Sequence, residues 1–219
     1  MSSHVKYAFQ AVQKENYWLP PAFAGLFLLI TGLVGPAQEV TVGRSFLGYV
    51  LPLLTGGLSA YAILADSALE LQFATKRSAA RMIAERLGVI VGITVLIGLL
   101  YQLGLSALGV SLSSWGGIFQ RQLVWLIPCF TTLTLGSIAA LLGRNAHTGF
   151  ALVGGLWILQ LVARGWFAND PIFRNIFLFY AAMDPTGGPR LLNQVVLSTL
   201  SLIFLVISHG LLKKQERYL

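Results

Sequence analysis

Charge, or the lack of it, constrains this chain more than any other feature. In its 219 residues the charged side chains fall in short stretches, separated by uncharged windows as long as a bilayer-spanning helix. The windows are 17–35, 45–65, 87–120, 122–143, 145–163 and 191–212. A bilayer core about 30 Å thick takes roughly 20 apolar residues per helix. Each window therefore reads as one helix, except 87–120, which is too long. That one divides into a helix over 87–108 and a small-residue loop over 109–117. Buried helices of a water-soluble protein are excluded, because six such windows leave no amphipathic surface to face water. Composition agrees. Only 11% of residues are charged and 56% are hydrophobic, against about 25% charged in an ordinary soluble domain. A mean hydropathy of +0.74 excludes a disordered chain and a nucleic-acid module as well.

Six spans put both ends on one side. With the N-terminus inside, the inner segments carry ten basic residues: Lys6, Lys14, Lys76, Arg77, Arg81, Arg86, Arg144, Lys213, Lys214 and Arg217. The outer segments carry five: Arg44, Arg121, Arg164, Arg174 and Arg190. Positive residues concentrate on the cytoplasmic side, so both termini are expected there, in the cell (inner) membrane. The net charge of +7 thus reports orientation rather than an acidic partner. The first apolar stretch starts late, is full length and lacks a small-x-small cleavage site, so it is expected to remain as an anchor rather than act as a signal peptide.

The expected fold is all-α, a single polytopic transmembrane domain over 1–219 with six transmembrane helices. Polar sequence outside the spans lies in three places. In 1–16, Val5, Ala8, Phe9 and Val12 recur at helical spacing while Lys6, Gln10, Gln13 and Lys14 face away. That predicts an interfacial amphipathic helix, with Tyr17 and Trp18 at headgroup level. The second place is the cytoplasmic loop 66–86. The third is 166–190, where Ile172, Phe173, Ile176, Phe177, Phe179 and Tyr180 make a broad apolar stripe too short to span. It predicts an outer re-entrant or capping helix between spans five and six, broken at Asp184-Pro185 and Gly187-Gly188-Pro189.

Catalytic and metal chemistry find no footing in the sequence. The spans hold no Asp, Glu, Lys or Arg near their centres, and ion-coupled transporters bind their ion at such groups or at broken helices. No H-E-x-x-H, C-x-x-C or paired intramembrane aspartates occur, and neither Gly57-Leu58-Ser59-Ala60 nor Gly104-Leu105-Ser106-Ala107 closes a G-x-S-x-G. Cys129, the one cysteine, lies mid-span beside Pro128 and reads as a packing residue. His209 reads as an interfacial residue or a hydrogen-bond partner between helices. Pro52 and Pro128 are expected to kink the second and fourth spans. Gly56-Gly57, Gly88-x-x-x-Gly92 and Gly154-Gly155 are small faces that let helices approach. No phosphate loop of the G-x-x-x-x-G-K-[ST] type is present, so this chain is expected to have no ATPase site and no cofactor of its own.

The loop 66–86 departs from a plain positive-inside connector. Leu69, Leu71 and Phe73 are apolar where water is expected, with Lys76, Arg77 and Arg81 around them. Ser78 is placed to cap a second short helix holding Arg81 and Glu85, which are four apart and can pair. An apolar patch rimmed by charge marks a docking surface.

Here the chain resembles the permease subunits of type-2 ABC transporters. Their second-to-third loop typically reads an acidic residue, then Leu-Glu-Leu, Thr, usually Pro, then Ser and basic residues. This chain matches at Asp66, Leu69-Glu70-Leu71, Ala74-Thr75, Ser78 and Glu85-Arg86. It departs at Lys76, where proline is usual, and at Ala68, where glycine often stands. The basic C-terminal segment with Glu216-Arg217 is also similar. The resemblance implies a subunit of an ATP-driven exporter. A second permease subunit, identical or different, shares the substrate pathway, and separate ABC ATPase subunits bind the ATP. Leu69, Glu70, Leu71, Phe73, Thr75, Lys76, Arg77, Ser78 and Arg81 then form the ATPase-coupling loop. The alternatives are a non-transporting membrane scaffold or assembly factor, and an ion-coupled secondary transporter. The cargo itself is not legible.

Overall fold

The computed structural model describes residues 15–64, 79–184 and 187–212, and among them all regular structure is helical. Helix α1 is Glu15–Leu33. A continuous helical run, α2, follows as Pro36–Ser45, a π-helical turn Phe46–Val50, and Leu51–Leu64. Helix α3 is Ala79–Ala107, α4 is Ile118–Gly143 and α5 is Ala146–Val162. Two short helices come next, α6 (Arg164–Asn169) and α7 (Tyr180–Met183), before the long α8 (Arg190–Leu212). Single 3-10 turns stand at Ser113–Trp115 and Phe173–Ile176.

Each uncharged window holds one apolar helix. Among the described residues, four helices are long and apolar enough to cross a membrane: Gln38–Ile63, Ile83–Ala107, Ile118–Gly143 and Arg190–Leu212. The first and fifth windows hold shorter apolar helices, Tyr17–Leu33 and Ala146–Val162. The outward faces are compatible with a multi-pass membrane protein. Leu96, Leu99, Leu100 and Leu103 of α3 and Leu202, Leu205 and Val206 of α8 are all exposed, a surface that water would penalise heavily.

Three local features differ from the expectations. The second short helix of the loop is not separate, since α3 runs unbroken from Ala79 into the third span. At Pro52, where a kink is expected, a π turn stands just before the proline. Proline offers no N–H, and the Leu51 N–H donates to Phe46 O one residue further back than an α-helix allows. The outer segment 166–190 is three short pieces rather than one helix. Asp170-Pro171 stops α6, and Asp170 Oδ1 accepts from the N–H groups of Ile172 (2.8 Å) and Phe173 (3.0 Å), starting the 3-10 turn. The amphipathic reading of 1–16 lies outside the described residues, apart from Glu15 and Asn16, which begin α1.

Helix α4 is the hub, packed on α2, α5 and α8. Its contact with α2 is set by glycine. A Cβ on Gly136 would strike the Gly56 carbonyl and lie 2.6 Å from Ser59 Oγ. A Cβ on Gly149 of α5 would lie 2.7 Å from the Ala60 Cβ and 2.8 Å from Gly136 O. Three helices therefore meet at backbone distance, as small residues permit in membranes. Hydroxyls seal the same seam. Ser59 Oγ donates to Leu133 O at 2.8 Å, and Thr132 Oγ1 donates to Pro52 O at 2.7 Å. Among the described residues the pairs Gly88/Gly92 and Gly154/Gly155 do not take part, since no contact lies within 4 Å of their Cβ positions.

Candidate functional site

The segment that carries the resemblance, 65–78, lies outside the described residues. This covers Leu69, Glu70, Leu71, Phe73, Thr75, Lys76, Arg77 and Ser78. Of the expected coupling residues the structure places Arg81, exposed on the first turns of α3, where its Nε donates to Glu85 Oε1 at 3.3 Å. Around the segment it describes the pair of stems from which the segment hangs, the C-terminal end of α2 and the N-terminal end of α3.

Those stems are tied. Arg86 is 5% exposed, and its Nη1 donates to the carbonyl of Ala62 at 3.0 Å. A helix leaves its last carbonyls without intrahelical donors, so a guanidinium reaching across satisfies one and suits the negative end of the α2 dipole. Beneath the tie, Ile63, Ile83, Leu141 and Leu212 form one cluster from α2, α3, α4 and α8, with Leu87 and Leu211 against it. On the other side of α2, Tyr61 Oη lies 3.1 Å from His147 Nδ1 at the start of α5, with the rings edge to face at 5.6 Å. Asn145 caps α5 through Oδ1, accepting from the His147 N–H at 2.9 Å. Every helix reaching this end except α1 is thus joined to a loop stem.

The stems differ in how firmly they continue into the bundle. In Gln38–Ile63 the most apolar window is 67% buried, whereas in Ile83–Ala107 it is 28% buried. The α2 stem therefore belongs to a dense α2–α4–α5 block, while the less buried α3 meets the block along one face, through Ile90, Tyr101 and Leu105 and through polar contacts. One is Thr55 against Thr94, hydroxyl to hydroxyl at 3.2 Å. Another is a reciprocal amide pair: Gln102 Nε2 donates to Gln122 Oε1 at 2.9 Å, and Gln122 Nε2 donates to Gln102 Oε1 at 3.1 Å. Trp125 Nε1 adds a third bond to Gln122 Oε1 at 2.9 Å, and its ring lies against Gly98 of α3.

At the opposite end, 164–184 folds over the bundle. Gln160 of α5, 2% exposed, accepts from the Leu178 N–H at 3.0 Å and donates to Ile176 O at 3.3 Å. Asn193 of α8 is fully buried, and its Nδ2 donates to the carbonyls of Arg174 (2.8 Å), Asn175 (3.2 Å) and Phe177 (3.0 Å). Phe179 enters between Tyr49 and Trp157, at ring distances of 4.8 and 6.1 Å. The π turn of α2 presents the Tyr49 carbonyl sideways, and Trp157 Nε1 donates to it at 2.8 Å. The stripe expected in this segment thus splits: Phe177, Phe179 and Tyr180 are buried, while Ile172 is 75% exposed.

Gln160, Asn193 and Arg86 had no role assigned from sequence, yet they hold both ends together. A signal existed for the first two, since uncharged amides in apolar windows need partners. Arg86 gave none beyond its place in a basic loop and in the motif match at Glu85-Arg86. Among the described residues no three His, Cys, Asp or Glu side chains gather as a metal site, and Cys129 is a buried free thiol. Comparison with protein-family models, curated proteins and solved structures finds no match for this chain. The fold itself defines the class: an all-helical protein with helices suited to crossing a membrane.

Proposed function

We propose that this protein is the transmembrane permease subunit of an ATP-driven exporter, with six spans, both termini cytoplasmic and 166–190 re-entering the outer leaflet. A second permease subunit completes the pathway, and separate ABC ATPase subunits supply the energy. The observation that carries the reading is the pair of loop stems joined by Arg86 to Ala62 O. One stem continues into the dense α2–α4–α5 block and the other into the less buried α3. A segment hung from such stems transmits a push as relative movement of α3 and the block. A slack connector needs no buried arginine at its base. The apolar Leu69, Leu71 and Phe73 supply contact area against the ATPase, and Lys76, Arg77 and Arg81 orient it.

The test is isolation from the native membrane with a tag on this chain. An ATPase subunit is expected to co-purify, and nucleotide hydrolysis to be absent from the permease chain alone. A chain that moves cargo by itself without nucleotide, following a proton gradient, would replace this reading with a secondary transporter.

A further inference from the structure

A donor-rich corner stands where α2 meets the mouth of α4, on residues the coupling mechanism does not use. Arg44 reaches the turn Ser113–Trp115. Its Nη2 donates to Ser114 Oγ, and its guanidinium carbon lies 6.0 Å from the centre of the Trp115 ring. The turn passes through Gly116, at φ 89°, and Gly117 into α4. No side chain caps that helix end. The first backbone bond of α4 is the Arg121 N–H to Gly117 O, so the N–H groups of Ile118, Phe119 and Gln120 precede it without backbone acceptors. Arg121 stands three and four residues before Val124 and Trp125 and shares their face. Both of those pack in the cluster that contains Trp115.

On these residues three N–H groups are buried without an acceptor: Arg44 Nε, Arg121 Nε and Trp115 Nε1. Trp115 itself is wholly buried. Among the described residues no carboxylate pairs with either arginine. Glu39, five residues before Arg44 on α2, is the acid nearest to it in sequence. Buried donors left open are rare in folded proteins. Two guanidinium groups beside an uncapped helix start make a field that favours an anion. Guanidinium geometry suits phosphate through paired N–H donors. Ile118 and Phe119, each 78% exposed beside Arg121, offer apolar surface to acyl chains, and arginine with tryptophan at the ends of apolar helices marks headgroup depth.

We infer that this corner binds a phosphate group, carried by the headgroup of an anionic phospholipid. Arg44 and Arg121 clamp the phosphate, the start of α4 faces it, and the acyl chains lie against Ile118 and Phe119.

The test uses the full chain, delipidated in a neutral maltoside detergent. Retained lipid is counted by native mass spectrometry and thermal unfolding is followed. The probes are phosphatidylglycerol, a diacylglycerol with the same chains, and inorganic phosphate. Phosphatidylglycerol is expected to be retained and to raise the unfolding temperature, and the headless diacylglycerol to do neither. Arg44→Gln with Arg121→Gln is expected to weaken phosphatidylglycerol binding about tenfold or more, the scale of 1.4 kcal/mol, while Arg164→Gln leaves it unchanged. If the double variant fails to fold, Arg121→Gln alone and Arg44→Lys carry the comparison. Equal protection by inorganic phosphate would place the same chemistry in solution and overturn the lipid source. Retention of diacylglycerol as strong as that of phosphatidylglycerol, or undiminished binding in the variants, would overturn the site. No ATPase is present in this experiment, so its failure leaves the exporter reading untouched.

Discussion

Arg86 Nη1 and the carbonyl oxygen of Ala62 lie 3.0 Å apart, and through them the end of α2 and the start of α3 are held as one base. Arg86→Met keeps the aliphatic bulk and removes the donors. A hydrogen bond from a charged group contributes about 1.5–3 kcal/mol, and a loss in that range is expected in thermal unfolding of the purified chain. Cargo-stimulated ATP hydrolysis in reconstituted vesicles is expected to fall further than stability does. Under the proposed function, the loosened base would no longer transmit the push.

Gly136 sets the distance between α2 and α4. Gly136→Ala would drive a methyl into the Gly56 carbonyl, which is backbone, and against Ser59 Oγ, whose hydroxyl is engaged with Leu133 O. Overpacking of this kind costs about 1–3 kcal/mol. Gly88→Ala and Gly92→Ala, which meet nothing within 4 Å among the described residues, are expected to leave fold stability unchanged or to raise it by roughly 0.5–1 kcal/mol through helix propensity. Unfolding midpoints of the variants in one detergent make the comparison.

The Gln102–Gln122 pair is expected to show coupling in a double-mutant cycle. Either Gln→Leu change alone leaves the other amide short of a partner, so the double variant is less destabilised than the two single losses combined. Interhelical bonds in membranes average about 0.6 kcal/mol, with a ceiling near 1.7. Coupling of that order between Gln102→Leu and Gln122→Leu is the expected reading.

Asn193→Asp tests the outer cap. A carboxylate cannot donate to the carbonyls of Arg174, Asn175 and Phe177, which now face the Asn193 amide. The cap is expected to detach while α8 persists. Trypsin cleavage at Arg174 is expected to accelerate several-fold, and circular dichroism to keep most of its helical signal.

Much of the fold was legible in the sequence, and for one reason. Long uncharged windows fix where helices lie, because little else satisfies a backbone in an apolar medium. The break at 109–117 was legible through its small residues, and the 3-10 turn Ser113–Trp115 stands inside it. How the helices pair was not legible. Gly88, Gly92, Gly154 and Gly155 look like contact faces yet meet nothing among the described residues, whereas Gly136 and Gly149 carry the seam. Glycine is common in apolar helices, and only the opposing backbone distinguishes the two sets. The outer stripe was misread as one helix because periodicity was weighed above Asp170-Pro171, whose side-chain acceptor and missing donor restart the chain as a 3-10 turn. The Arg86 tie was hidden because charge sidedness already accounts for any arginine in that loop.

Coupling through the loop 66–86 is the central claim, and one measurement reaches it most directly. Leu71→Asp and Phe73→Asp are introduced separately, and ATPase co-purification and cargo-stimulated hydrolysis are read in reconstituted vesicles, with Lys76→Ala alongside. Burying a Leu or Phe side chain is worth about 1.5–3 kcal/mol, and an exposed ion pair about 0.2–1 kcal/mol. Both Asp variants are therefore expected to insert normally and lose docking or coupling, while Lys76→Ala shows a smaller, salt-sensitive loss. Full docking and full coupling in both Asp variants would contradict the lever and reduce 66–86 to a solvated connector.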